Sequence, residues 1–216
     1  MQSLSKLVFF KIHCLVFLLL LQGINGADDT ESWSSIGFET KLPYSIELEL
    51  DQGLRLKDQI SSFKQTFTQV SVAYEIIDGM KIFVPIRYAI FEDKTKQRIS
   101  AGGSYKYDLK PLSFKIRSKF QMTFEENEPS RELVRNKFSI DYKINKKFKS
   151  YISGEVFHLY DLDQYQYDEY RISTGMNMSV KKKRQLKIFY TYKLEDLTRS
   201  NTNQINIFGI GYNFKF

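Results

Sequence analysis

The sequence predicts an all-β chain, an antiparallel up-and-down transmembrane β-barrel of about 10–12 strands, and three observations predict it. Apolar side chains recur at every second position in segment after segment, with no sustained helical repeat after Trp33. Most of these segments are roughly 10 to 13 residues long, the length a tilted strand needs to cross a hydrocarbon layer. The connections alternate between short turns and longer polar loops, so that one end is trimmed and the other elaborated.

The stripes follow one another along the chain. Trp33–Leu42 is the first segment, and in Tyr44–Asp51 the residues Tyr44, Ile46, Leu48 and Leu50 alternate with Ser45, Glu47, Glu49 and Asp51. Thr68, Val70, Val72 and Tyr74 form the next, then Ile82, Val84, Ile86, Tyr88 and Ile90, then Ile99, Ala101, Gly103, Tyr105 and Tyr107. Leu112, Phe114, Ile116, Phe120 and Met122 follow, then Phe138, Ile140 and Tyr142, then Ile152, Val156 and Tyr160. Ile172, Met176, Met178 and Val180 precede Leu186, Ile188, Tyr190 and Leu194, and Phe208, Ile210, Tyr212, Phe214 and Phe216 close the series. That makes about eleven strands. Single-chain bacterial barrels usually hold an even number, so ten or twelve is expected, with the first stretch incomplete or another split. The short turns fall at "LPYS", "IIDGM", "DLKP", "INKK" and "VKKKR"; the longer loops fall at "KDQISS", "EDKTK", "EENEPSREL", "DLDQYQYD" and "EDLTRSNTNQ". Pro85, in mid-segment, has no ladder donor and predicts a bulge or kink.

The beginning of the chain reads differently. Lys6 and Lys11 precede the apolar run Cys14–Leu21, and small residues follow at Gly23 and Gly26. This is the pattern of a cleaved export signal over residues 1–26, too short for a spanning helix. Residues 27–32 are expected as a short extension and 33–216 as the barrel. Cys14, the sole cysteine, would leave with the signal, so the mature chain is expected to hold no disulfide and no cysteine metal site. Removing Lys6 and Lys11 from 32 basic residues leaves 30 against 25 acidic ones, a dispersed excess that points away from nucleic acid.

Alternation alone does not say which face is apolar, because soluble barrels alternate too. The export signal, the strand length and the tyrosines near strand ends (Tyr74, Tyr88, Tyr107, Tyr160) favour apolar stripes facing lipid and charged stripes facing a lumen. The closing stripe, with Tyr212, Phe214 and the terminal Phe216, resembles the signal read by the outer-membrane barrel assembly machinery. The expected partners are that machinery during biogenesis and outer-membrane lipid, and the expected location is a bacterial outer membrane.

A wider resemblance rests on "WSSIGFETKL", "YSIELELDQGLRL", "IRYAIFED", "YKYDLKPLSFKIRSKFQ", "GEVFHLYD", "YRISTGMNMSVKKKRQLKIFYTYKL" and "GIGYNFKF", taken in that order. Over residues 33–216 this layout resembles the Bacteroidetes outer-membrane barrels grouped as a domain of unknown function. The resemblance implies a fold and a compartment, and no activity.

Turning the polar stripes inward collects Glu39, Glu47, Glu49 and Asp51 on the first two strands. Arg87, Arg98, Lys106, Lys115, Arg117 and Lys119 come from the fourth to sixth, with Glu155 and Arg171 further on. Two consequences are open: in a narrow barrel these charges pair and fill the lumen, giving a structural or interaction role, or acid and base walls order a passing small solute. The first is preferred. A lipid-acting hydrolase ranks third, because His158 has outward parity near the loop end but Ser153 lies on the opposite face of the same strand. No catalytic residue, metal site or cofactor is therefore assigned. Asp161, Asp163 and Asp168 lack the glycine and terminal glutamate of an EF-hand loop. "KKKR" at Lys181–Arg184 is read as a turn, and Gly209–Gly211 as lumen-side glycines that leave room for bulky neighbours.

Overall fold

The computed structural model describes residues 26–161, 164–197 and 202–216, together with no ligand or partner. The predicted signal segment lies almost wholly outside the described residues. Eleven strands close into one barrel: β1 (Asp29–Leu42), β2 (Ile46–Lys57), β3 (Ser62–Ile77), β4 (Met80–Ile90), β5 (Thr95–Leu109), β6 (Leu112–Glu125), β7 (Glu128–Lys143), β8 (Phe148–Asp161), β9 (Gln164–Lys181), β10 (Arg184–Glu195) and β11 (Asn203–Lys215). Neighbours in sequence pair antiparallel, and the ring is sealed by β1 running parallel to β11, from Asp29 beside Ile205 to Glu39 beside Lys215.

The predicted barrel is present, but the even strand count is not. The first stretch is a full strand, and it begins at Asp29, so most of the expected 27–32 extension belongs to the wall. An odd count places the termini at opposite ends. Near the start, Ile60 N–H donates to the Thr30 carbonyl (3.1 Å), while Phe216 N–H donates to the Glu39 carbonyl (2.9 Å) at the far rim.

The two ends differ less than predicted. "EENEPSREL" contracts to a two-residue turn, Glu126–Asn127, with Asn127 at φ 61°, and β9 starts at Gln164 inside the expected "DLDQYQYD" loop. Backbone ladders continue there although the apolar stripe has stopped, because a strand that projects beyond an apolar layer needs no greasy face. At the opposite end Asp78–Gly79 joins β3 to β4, with Gly79 at φ 80°, the backbone that a tight hairpin requires.

Side-chain placement is inverted relative to a soluble core. Ile36, Ile86, Ile188 and Ile210 point outward and are half exposed, whereas Glu31, Lys193 and Gln121 are buried inside. The four stripe tyrosines face outward too, Tyr74 and Tyr107 toward the short-turn rim and Tyr88 and Tyr160 toward the other.

Pro85 needs no bulge. Phe83 opposes Gly102 and Ile86 opposes Ile99, so the β4–β5 register is the same on both sides, and pairing lapses only at Val84 and Pro85. The inward Ser100, which this register would set opposite Pro85, is buried with its hydroxyl unpartnered among the described residues.

Candidate functional site

Inward side chains of β1 to β10 line a common lumen of about 1110 Å³. Its lining runs from Asp78, Gly79 and Asp108 at the short-turn rim to Arg131 and Asp168 toward the other end. Ten of the twelve predicted charges line it: Glu47, Glu49, Arg87, Arg98, Lys106, Lys115, Arg117, Lys119, Glu155 and Arg171. Glu39 and Asp51 share the inward faces of β1 and β2 but stand outside this lining. Glu39 pairs with Lys215 (2.8 Å), and the Asp51 carboxylate closes over Gly37, where a Cβ would lie 2.7 Å from it.

The charges sort into a neutralised wall and an open one. On β7–β9, Arg135 bonds Glu155 (2.9 Å), Arg117 reaches the same carboxylate (3.3 Å), Arg171 pairs with Glu169, and Arg131 pairs with Asp168 (2.6 Å). At the short-turn rim Glu47 binds Lys81 (2.6 Å) and Lys41 (3.4 Å), and Lys106 binds Asp108 (2.6 Å). On β2–β6, by contrast, Arg55, Arg87, Arg98, Lys115 and Lys119 form no ion pair among the described residues, nor do Lys137 and Lys187. Glu49 and Asp51 on β2 likewise form no ion pair among the described residues, but the unpaired cations outnumber them. The cavity is lined by 14 basic and 8 acidic side chains, which makes its field positive.

Aromatic rings space the arginines. Arg55 lies 3.7 Å from the Trp33 ring centroid and Arg87 lies 3.8 Å from that of Phe67. Arg135 and Arg171 flank Phe157 at 4.2 and 4.6 Å. Stacking fixes each guanidinium plane without consuming its N–H donors, which stay in the plane. Glycine makes the space: Gly53 admits the Phe67 ring, and Gly102, opposite Lys119, has no room for a Cβ, which would lie 2.6 Å from that of Lys119. Gly209 likewise admits the Phe189 ring, the role read for the lumen-side glycines.

Sequence reasoning missed Arg55, Arg135, Lys137 and Lys187. All carry the inward parity of their strands, so the signal was present; Lys137, for instance, alternates with the outward Phe138 and lies beside Glu155. Trp33, which opens the first predicted strand, serves as a platform for the Arg55 guanidinium.

The remaining candidates separate. His158 faces outward with its ring 4.8 Å from Tyr167, while Ser153 points inward and is buried, so the two cannot meet. Asp168 occupies the register shift between β8 and β9 and is held by Arg131; Asp163 lies outside the described residues, and Asp161 ends β8. Lys181 ends β9 and Arg184 opens β10, with Lys183 at φ 63° between them, so the basic run is a turn. Phe214 and Phe216 stack on Phe38 at 5.2 and 6.4 Å, and Tyr212 meets Phe214 at 5.0 Å, joining the C-terminal aromatics across the parallel seam.

The barrel has solved counterparts. A NanC porin aligns at TM-score 0.57 and 14% identity, covering 87% of this chain and 99% of the porin. A bacterial polysaccharide outer-membrane secretin aligns at TM-score 0.51 and 9% identity, covering 76% and 73%. At such identities the likeness is one of fold. No curated protein matches the sequence. The family model described as "Protein of unknown function (DUF2490)" matches residues 30–204, most of the barrel, and the chain belongs to that family.

Proposed function

We propose that the chain is exported by its N-terminal signal into a bacterial outer membrane, in a Bacteroidetes envelope on the sequence resemblance. There it acts as a narrow barrel that passes small anionic solutes. One observation carries the choice of solute: Arg55, Arg87, Arg98, Lys115 and Lys119 stand in the lumen with no carboxylate partner among the described residues, so they are available to a passing anion. This moves solute passage ahead of the purely structural role preferred from sequence. The fold shared with a porin supports the same reading. The outward apolar band, at the exposure seen for Ile86 and Ile210, supports contact with membrane lipid, and the C-terminal aromatics support recognition by the barrel assembly machinery.

A structural barrel closed to solutes is the second reading. Inward Ile207, Phe157 and Leu133 are buried toward the end of the barrel where the N-terminus lies, and they narrow it. Planar bilayers under a salt gradient separate the two. Anion-selective single-channel steps are expected; cation selectivity overturns the anionic assignment, and a silent bilayer containing folded barrel favours the structural reading.

A further inference from the structure

We infer that Arg55, Arg87, Arg98 and Lys119 form a discrete binding station for one multiply charged oxyanion, such as a phosphate or a polycarboxylate, inside the lumen. The inference rests on the reading of a solvent-filled basic lumen, and goes beyond it: a diffuse positive field attracts anions without holding any, whereas a station saturates.

Arg87 and Arg98 are register partners on adjacent strands, so two guanidinium groups stand side by side on one face. Like charges directly opposite destabilise a sheet. The neighbouring groups that hold them are neutral. Arg87 donates from Nε and Nη2 to Gln69 Oε1 (3.1 and 2.8 Å), Arg98 from Nε to Thr123 Oγ1 (3.4 Å), and Arg55 to the Gln65 amide oxygen (2.9 and 3.3 Å) in the orientation that satisfies both groups. Each guanidinium is thereby oriented while keeping donors for a ligand. Lys119, for which Gly102 leaves room, lines the same cavity and makes no ion pair among the described residues. The contrast with the same barrel's other wall is the telling feature, because there every arginine from Arg117 to Arg171 has a carboxylate. Planar guanidinium forks match tetrahedral phosphate and carboxylate oxygens with paired hydrogen bonds. A single chloride satisfies one donor direction at a time, so several converging donors favour an anion with several oxygens.

Trp33, the sole tryptophan of the chain, stacks on Arg55 and reports the site. The experiment titrates the folded, detergent-solubilised barrel with inorganic phosphate, with citrate, and with chloride, at constant ionic strength, and follows Trp33 fluorescence. A saturable change with phosphate, citrate or both, and a linear or absent change with chloride, is expected. The oxyanion that saturates identifies the ligand class. Arg87→Gln with Arg98→Gln should weaken half-saturation at least about tenfold, and Lys119→Gln alone provides a second, milder variant. Heat-modified gel mobility verifies that each variant is a closed barrel. No saturation by either oxyanion in the wild-type barrel, or saturation unchanged in both variants, overturns the station. Anion-selective conductance without saturation would leave the proposed function standing while removing this site.

Discussion

Neutralising Arg87 and Arg98 together is the perturbation whose size follows most directly from the structure. Neither makes an ion pair among the described residues, so removing them breaks no salt bridge and lowers the positive charge of the lumen. The lining falls from 14 basic groups to two fewer against the same 8 acidic ones. An anion passing at about 4 Å gains about 1 kcal/mol from each charge even at the dielectric constant of bulk water. That is about fivefold in local occupancy per charge, and roughly thirtyfold for the pair. Screening removes only part of this, since the Debye length at 0.1 M salt is about 10 Å. The assay is the reversal potential of the Arg87→Gln, Arg98→Gln barrel in a planar bilayer under a salt gradient. The anion-to-cation permeability ratio should drop strongly, and an unchanged ratio with unchanged conductance would refute the assignment of these groups to the conducting path.

Other predictions concern the wall. Glu31, fully buried, binds Lys64 (2.5 Å), Lys193 (3.5 Å) and Trp33 Nε1 (2.7 Å), linking β1 to β3 and β10 across the parallel seam; Glu31→Ala should cost about 3 kcal/mol of unfolding free energy in detergent, read from a denaturant titration. Ile210→Arg sets a cation on the outward face and should cost about 2–4 kcal/mol and lower the yield of folded barrel, whereas the lumenal Ala73→Arg should leave assembly intact; equal yields would mean the two faces are exchanged. Deleting Phe216, which stacks on Phe38 beside the seam, should reduce insertion into the outer membrane as judged by membrane fractionation, with near-normal assembly counting against the C-terminal signal.

Much of the architecture was legible because the period-two pattern is a direct image of a wall with one apolar and one polar face. Stripes such as Ile82–Ile90 and their neighbours Arg87 and Lys81 name the two faces without further information. Strand ends were less legible: Glu128 and Gln164 lie in polar sequence where ladder pairing continues without an apolar stripe, so they read as loop. Closure was not legible either, since nothing local distinguishes a first strand that pairs parallel with the last one from an incomplete strand. At the site, parity named ten of the lumen charges but could not say which would pair. Glu155 meets Arg135 and Arg117 because strand register and the barrel's curvature bring them together, and that same geometry leaves Arg87 and Arg98 facing each other with the neutral Gln69, Phe67 and Thr123 as their partners.

The central claim is an accessible lumen with a positive field, and thiol chemistry tests it most directly. The segment after the predicted signal contains no cysteine, so Phe83→Cys places a single reactive group on the basic wall between Lys81 and Arg87, without removing a charge. Separate samples of folded barrel in vesicles are treated with a sulfonate-bearing or a trimethylammonium-bearing methanethiosulfonate, and the rates are compared with those of the outward Ile210→Cys. The anionic reagent should react with Phe83→Cys at least about tenfold faster than the cationic one, and neither should label Ile210→Cys appreciably. Equal rates, preference for the cation, or a Phe83→Cys protected from both reagents would contradict the account.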